Sequence, residues 1–476
     1  MKKVRENERF DTVLMPTDWR YSAAIVGLKY YFEFSNKQFD KIEYEEVKYE
    51  GWSAIAYSSQ DIQEERFLIF TENFYPDEFL HRKAENVLQK DAWKEDDIDQ
   101  VNKYLTGNTV LKKFFAKKKF DGTNRSEILQ ILQENRLEII RETFRYKTNL
   151  YRKFCNTNLL FTDQNPHCRL LGYIVDENRK SKETSFVFDA NKIITTDIKE
   201  FDFLTFAFTN TPEAFFINNN YDIHALFETA KELKKMLEKN KEEKESAKMT
   251  LLRNLKESSG FLDYDVEIIV KKQVVKKQVV EYYETLFLRK NARNALKDLK
   301  DPKKFNFRYE IGTDYWINVE EEIFDRCVNQ MVLDDLIETL LKIRVRKDLE
   351  YLDYVLSGLI DLNVKWKEDT MDKGDLKERI EQAKTAGFLT AIKLKENKSV
   401  AKINAYRQKL TSAVVFHDYD RVNEILLQLE SYAEMDYSFV YDLFEDGEAN
   451  KDITFAFISA LNPNVKLTKK EDDEEI

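Results

Sequence analysis

The chain of 476 residues is 34% charged and 42% hydrophobic, has a formal net charge of −11, and contains 11 glycines and 6 prolines. Its length exceeds one ordinary hydrophobic core and predicts about two or three domains, while the scarcity of glycine and proline disfavours an all-β protein with many tight turns. The acidic balance excludes a histone-like nucleic-acid binder but leaves room for a local basic groove.

Targeting signals are the next feature that the sequence can exclude. The three cysteines, Cys155, Cys168 and Cys327, are too few for a disulfide framework. The N-terminal MKKVRENERFDTVLMP lacks the apolar core of a signal peptide, and no apolar run of about eighteen residues predicts a membrane span. We therefore expect a cytoplasmic protein without membrane contact.

The first predicted element is a helix over 19–34, in the stretch TDWRYSAAIVGLKYYFE. Thr17 or Asp18 can accept hydrogen bonds from the first turn. Ala23, Ala24 and Gly27 give one side without bulky side chains, where another backbone can approach closely. The pattern predicts a core helix packed under a sheet.

The rest of residues 1–225 mixes two kinds of pattern. Helical stretches are predicted at 78–90, 97–118 and 126–154. Runs rich in aromatic and β-branched residues predict strands at 65–70, 169–175, 184–189 and 201–208. Together they indicate an α+β fold for this part.

Residues 226–366 are predicted to be mainly helical. A long charged helix is expected over 226–260. In KKQVVKKQVV, at 271–280, the valines recur at steps near four, which favours a helix, although a strand remains possible. After Pro302 the pattern is helical again, with an interruption at 361–375. One-sided apolar stripes then predict a compact helical bundle over 371–476.

Enzyme signatures are missing from the sequence. It contains no GxxxxGK[ST] phosphate loop, no GxGxxG after a strand, no GxSxG and no HExxH. His417 and Asp418 could belong to a metal-dependent phosphohydrolase, but that chemistry needs further ligands, and a helix start or surface pair is the simpler interpretation.

A degenerate zinc-ribbon-like insert is predicted at about 151–182. Cys155, His167 and Cys168 could offer three ligands, but each CxxC pair of a ribbon would lack its second cysteine, and a ribbon needs four ligands. Buried thiols without metal are the alternative, so zinc is a weak candidate and no cofactor is expected.

Basic and amide-rich segments are the positive signal, because lysines in register along a face can follow a phosphate backbone. The asparagines could present amides to bases or cap a helix. The candidate nucleic-acid-binding residues are Lys112, Lys113, Lys117, Lys118 and Lys119, then Asn218, Asn219 and Asn220, and finally Lys395, Lys398, Lys402 and Lys409, which are predicted to share one helix face.

Three blocks carry a resemblance to a known family. They are Asp18-Trp19-x-Tyr21-x-Ala23-x-x-x-Gly27, CRLLGYIVDENRKSK at 168–182 and FFINNNYDI at 215–223. With them the chain resembles the large subunit of type I CRISPR interference complexes (Cascade), most closely the I-B branch whose members often carry paired CxxC motifs.

This resemblance implies a non-catalytic subunit at the 5′-handle end of the crRNA. Such a subunit reads the protospacer-adjacent motif on target double-stranded DNA, helps strand separation and recruits the helicase-nuclease, beside the Cascade backbone and small subunits. A strand-separating wedge is expected in an N-terminal loop, at 106–108, 119–125 or 218–220. The open alternatives are a metal-dependent nuclease, with sites at His167/Cys168 or His417/Asp418, and a protein-only helical scaffold.

A separate small subunit is also expected, because several related systems translate one from an internal start. The residues Lys367-Glu368-Asp369-Thr370 can be encoded by the purine-rich AAG GAG GAY ACN directly before Met371, whereas the residues before Met331 cannot encode such a sequence. Residues 371–476 are therefore predicted to be made separately as well, with the lysine face 395–409 on nucleic acid.

Overall fold

A computed structural model describes residues 2–4, 9–49, 51–107, 109–146, 150–155, 160–162, 168–170, 196–211, 214–240, 265–275, 279–288, 305, 307–312, 315–329, 331–347, 349, 351–371 and 376–464. Two compact units divide the chain: the N-terminal unit, Met1–Glu238 with Glu267–Leu286, and the C-terminal unit, Lys239–Val266 with Phe287–Ile476. Helices and small antiparallel sheets confirm the predicted α+β class. The predicted three-part division at 1–225, 226–366 and 371–476 stays a prediction.

A four-stranded antiparallel sheet, in the order β1-β2-β4-β3, opens the N-terminal unit. Its strands are β1 (Lys2–Val4), β2 (Thr12–Leu14), β3 (Tyr44–Tyr49) and β4 (Trp52–Tyr57). In the β3–β4 hairpin, Tyr44 pairs with Tyr57 and Tyr49 pairs with Trp52. Gly51, in the turn, has a φ of +84°, which glycine adopts without strain.

Helix α1 (Trp19–Gln38) is the centre of the N-terminal unit, and most of its residues are buried. Asp18 caps it by accepting a hydrogen bond from the Arg20 N–H at 2.8 Å. A Cβ on Gly27 would lie 2.0 Å from the Phe203 carbonyl oxygen, so the helix touches a neighbouring backbone here. The predicted core helix is confirmed, but the backbone in this contact belongs to the 3₁₀ helix Lys199–Phe206, and the strand predicted at 201–208 is wrong.

The remaining helices of the N-terminal unit follow the sheet. They are α2 (Glu64–Phe74), α3 (Leu80–Leu88), α4 (Glu95–Thr106), α5 (Lys112–Phe115), α6 (Arg125–Glu134), α7 (Arg136–Phe144), α8 (Leu150–Phe154) and α9 (Ile223–Asn240). The strand predicted at 65–70 is therefore wrong, because it lies in α2. The strand predicted at 184–189 lies outside the described residues.

A second sheet pairs β5 (Ala214–Asn218), β6 (Val266–Val275) and β7 (Val279–Leu288). The strands β5 and β6 are antiparallel, with Asn218 opposite Glu267. The pentapeptide repeat thus lies in strands where it is described, and the favoured helix is wrong. Valine fits a strand because its branched Cβ restricts the side chain in a helix.

The C-terminal unit has a hairpin followed by helices. The hairpin joins β8 (Arg308–Gly312) and β9 (Tyr315–Asn318), where the sequence predicted helix. The helices are α10 (Val319–Val328), α11 (Asp334–Lys347), α12 (Tyr351–Met371), α13 (Leu376–Glu396), α14 (Val400–Val415), α15 (Tyr419–Ala433), α16 (Val440–Glu445) and α17 (Lys451–Ala460). The C-terminal helices are as predicted, although α12 continues through the expected interruption as far as Met371.

A buried ionic cluster joins α11, α12 and α17. The Lys367 ammonium lies 2.8 Å from Asp334 Oδ1 and also contacts Asp452, whose side chain is fully buried. The Asn363 amide donates to both carboxylates at 2.7 Å. A buried charge needs such partners, because removing one partner of a buried ion pair lowers protein stability by about 3–5 kcal/mol.

Candidate nucleic-acid interface

The C-terminal basic face, comprising Lys395, Lys398, Lys402 and Lys409, is divided between two helices and their connection. Lys395 lies on α13, Lys398 lies in the turn with a φ of +54°, and Lys402 and Lys409 lie on α14. The predicted single helix face is therefore wrong, because α13 ends at Glu396 and α14 begins at Val400. Lys402 and Lys409 do share a face, since residues seven positions apart lie two turns apart on one side of a helix.

Exposure separates the basic residues of the turn and α14 into two groups. Lys398, Lys402 and Lys409 are exposed. Arg407, from the same basic stretch, is buried, and its guanidinium lies 2.5 Å from Asp353 Oδ1. Arg344 binds the same carboxylate with two hydrogen bonds, at 2.9 and 3.0 Å. The lysines are thus available to an anionic partner, whereas Arg407 stabilises the bundle.

An aromatic side chain completes this face, and the sequence did not reveal it. The Lys402 Nζ lies 3.7 Å from the centroid of the Tyr432 ring, which α15 supplies. Hydrogen bonds from Lys402 and then Ser399 lower the pKa of Tyr432. Tyr432 is partly exposed. Its thirty-residue separation from Lys402 left no local pattern that could have indicated the pair.

Two of the five lysines in the N-terminal segment 112–119 are balanced by carboxylates. Lys113 lies 3.8 Å from Glu138 and 3.6 Å from Glu142, and Lys118 lies 2.5 Å from Glu127. Lys112, Lys117 and Lys119 are exposed. The aromatic residues between the lysines pack with the core of α3, α4 and α6, so they are not offered to bases; they are Phe114, Phe115 and Phe120.

The three asparagines have different surroundings. The Asn218 amide donates to Glu267 at 2.5 Å, and the Asn219 amide donates to the Thr229 hydroxyl at 2.9 Å. Both asparagines are buried, whereas Asn220 is exposed. Asp222, rather than an asparagine, accepts a hydrogen bond from the first turn of α9, at the Ala225 N–H. Asn220 alone of the three can reach a base without a change in the fold.

The cysteine region gives no metal site within the described residues. Cys155 is buried, and burial raises the pKa of both Cys155 and Cys168, although Arg20 acts in the opposite direction on Cys168. His167 and most of 151–182 lie outside the described residues, and the described part contains no cluster of three metal-binding side chains.

Two of the resembling blocks have structural roles. Arg169, in the second block, has a fully buried side chain that bonds Asp197 at 2.9 Å and Asp202 at 2.7 Å. Tyr151 donates to the same Asp202 at 2.8 Å. Trp19, in the first block, packs on Tyr283 with 4.8 Å between ring centroids. These residues hold the N-terminal unit together.

His417 and Asp418 form a helix start, as the simpler interpretation predicted. Asp418 caps α15 by accepting a hydrogen bond from the Arg421 N–H at 3.1 Å. His417 Nδ1 lies 2.9 Å from Glu448 Oε2.

None of the helices in the described ranges combines the length and apolarity needed to cross a bilayer.

Comparison with known proteins gives the family. Residues 10–248 and 228–461 match the sequence model of the CRISPR-associated protein Csx8. No curated protein matches the chain, and neither does any solved structure. Because the two matched segments span well over half of the sequence, the chain belongs to the Csx8 family of CRISPR-associated proteins.

Proposed function

We propose that this CRISPR-associated protein is the non-catalytic large subunit of a type I, I-B-like, RNA-guided complex. In this proposal it binds the 5′-handle end of the crRNA and target double-stranded DNA, reads the protospacer-adjacent motif and helps to recruit the helicase-nuclease. Its other partners are the Cascade backbone and small subunits. Membership of a family that acts in antiviral defence supports the class of function.

The exposed lysines of the C-terminal basic face carry the proposal. Lys398, Lys402 and Lys409 project from an acidic chain, and Lys402 contacts the Tyr432 ring. Exposed ammonium groups bind phosphates and release counterions, and an adjacent aromatic ring can contact a base. Lys112, Lys117, Lys119 and Asn220 are the further candidate contacts, and they too are exposed.

Metal-dependent nuclease activity has less support. Asp418 caps α15, His417 contacts Glu448, and the two thiols Cys155 and Cys168 are too few to hold a ribbon zinc. In a protein-only scaffold the same helices would bind other proteins, and the exposed lysines would have no role in binding nucleic acid. An internal start at Met371, the last residue of α12, remains part of the proposal.

The test is co-expression of the full chain with a CRISPR array and the backbone subunits, followed by purification without nuclease. We expect co-purifying RNA of one discrete length and binding of target DNA. The triple variant Lys398→Ala, Lys402→Ala, Lys409→Ala should bind DNA more weakly and lower the slope of log affinity against log salt by about 2–3.

The matched control is Lys37→Ala, Lys41→Ala, Lys83→Ala, which removes the same charge from exposed positions elsewhere. Equal effects of the two triple variants would show that only net charge matters and would refute the interface. Purification without RNA would refute the complex, and metal-dependent DNA cleavage by the isolated chain would favour the nuclease.

A further inference from the structure

The tip of the β3–β4 hairpin exposes a large aromatic side chain. Trp52, the first residue of β4, is 65% exposed, although tryptophan is usually well buried. It follows Gly51, whose left-handed backbone turns the chain. Tyr49 is its cross-strand partner, so the two side chains project from the same face of the hairpin.

A second exposed aromatic lies beside the same tip. The Ile223 N–H donates to Ser53 Oγ at 3.1 Å, which joins the turn before α9 to the first residues of β4. This turn contains Tyr221, which is 73% exposed, and the exposed Asn220. Ser53 points to the face opposite Trp52, because side chains alternate along a strand. The tip therefore has an aromatic residue on each side.

The glutamates in and next to β3 are paired with cations, so they repel a polyanion less strongly than the sequence alone suggests. Arg9 binds Glu43 at 3.0 Å and also Glu45, and Lys29 binds Glu46. The exposed Lys48 pairs with Ser53 in the register of the hairpin, close to the tip. Lys48 therefore places an exposed cation one register position from the Tyr49–Trp52 pair.

We infer that this hairpin tip binds unpaired bases of a single-stranded nucleic acid, with Trp52 as the principal stacking surface and Tyr221 as the second. The inference rests on the proposed function. Every base has a flat π-face that stacks on an exposed aromatic ring, whereas a duplex keeps those faces covered. The Asn220 amide can donate to and accept from a base edge, and Lys48 can bind the phosphate that joins two stacked bases.

The hairpin tip also bears on which loop is the strand-separating wedge. Of the loops suggested by the sequence, 218–220 leads into the turn that is hydrogen-bonded to the hairpin, and the hairpin itself was not among the suggested loops. The signal was present as Tyr49-Glu50-Gly51-Trp52, a glycine between alternating apolar residues. Exposure of Trp52 depends on the packing of the whole unit, so it became apparent only in the fold.

The test measures binding of the full chain to a short fluorescein-labelled oligothymidylate and to a duplex of equal length by fluorescence anisotropy. We expect Trp52→Ala to weaken oligothymidylate binding by about five- to a hundred-fold, the range for loss of one stacking aromatic. Duplex binding should change little. Trp52→Phe should keep most of the affinity, because it keeps a flat ring, and Tyr221→Ala should show a smaller loss than Trp52→Ala.

The matched control is Trp316→Ala, because Trp316 is 58% exposed and also lies in a hairpin. It is opposite Glu310, and three glutamates follow in α10, so a polyanion should avoid it. Oligothymidylate should also quench tryptophan fluorescence in the wild type and in the Trp316→Ala variant, but much less in the Trp52→Ala variant. Equal thermal unfolding midpoints would show that each variant is folded.

Affinity and quenching that are the same for Trp52→Ala and Trp316→Ala would overturn the inference. If the basic-face triple variant still weakened DNA binding in that case, the proposed function would stand and the hairpin site alone would fail. A wild-type chain that binds neither oligothymidylate nor duplex, and carries no RNA, would overturn both.

Discussion

Lys367 is the cation that two buried carboxylates of the C-terminal unit share. We expect Lys367→Ala to lower the free energy of unfolding by about 3–5 kcal/mol, because the fully buried Asp452 would lose its ammonium partner. Asp334 would also lose Lys367 but would keep Lys451, at 3.1 Å. Urea unfolding followed by circular dichroism would measure it. Lys384→Ala is the control, since Lys384 pairs with the exposed Asp361 and its loss should cost about 0–1 kcal/mol. Similar costs for both variants would contradict the prediction.

Glu72 is predicted to make the N-terminal unit sensitive to acid. Burial alone would raise the pKa of Glu72, but the hydrogen bond from His81 and the charge of Arg136 lower it below its usual value. The folded-state pKa is therefore lower than the unfolded one. The stabilisation is fully present above about pH 4.3 and is lost as the pH falls through the folded-state pKa.

The measurement is the unfolding midpoint of the wild type and of Glu72→Gln between neutral and acid pH. The variant should be less stable near neutrality, and the difference should shrink below about pH 4.3. A difference that stays constant with pH would mean that the ionised carboxylate does not supply the stability.

At the scale of elements, the contact of α1 with the 3₁₀ helix Lys199–Phe206 is predicted to require glycine at position 27. Alanine would favour the helix by about 1 kcal/mol. Its Cβ would nevertheless lie 2.0 Å from the Phe203 carbonyl oxygen, and this overlap with backbone outweighs the propensity. We expect Gly27→Ala to destabilise the unit by about 3 kcal/mol or more. Lys37→Ala, at the exposed end of α1, should change stability by less than about 0.5 kcal/mol; a neutral Gly27→Ala would show that the two backbones can separate.

Sequence patterns predicted some elements well and misassigned others, for a physical reason. Helix α1 and the C-terminal helices have capping residues or one-sided apolar stripes, which tertiary packing does not override. The runs at 65–70 and 201–208 are short, aromatic and buried, so neither helical nor strand periodicity distinguishes them. Their conformation depends on packing against α1, which a local window does not contain.

The candidate interface was predictable only in part. Exposure of Lys398, Lys402 and Lys409 follows from their charge. The turn at Lys398 was not predictable, because a lysine in a left-handed conformation gives no glycine signal. Asn218 and Asn219 were misleading for a related reason, since strand pairing with β6 and the packing of α9 bury polar side chains that sequence alone places in a loop.

At the scale of the whole molecule, the ionic clusters predict where the C-terminal bundle can be cut. A product that begins at Met371 lacks α11 and α12, so Asp452 loses Lys367 and Arg407 loses Asp353. We expect residues 371–476 alone to unfold at lower urea concentration than residues 331–476, which keep both clusters. Circular dichroism of the two purified fragments would test this, and equal midpoints would show that another contact replaces α12.

The Lys367 cluster also affects the order in which the helices of the C-terminal unit can pack during synthesis. Lys367 and Asp452 are 85 positions apart, so their contact closes a long loop, and such loops slow folding. During synthesis Lys367 is made well before α17, and until α17 arrives its ammonium can bind Asp334 but not Asp452. The buried cluster of the C-terminal unit is therefore complete only when α17 docks. A translation pause before residue 451 would leave an open, aggregation-prone bundle that is rescued by that docking step.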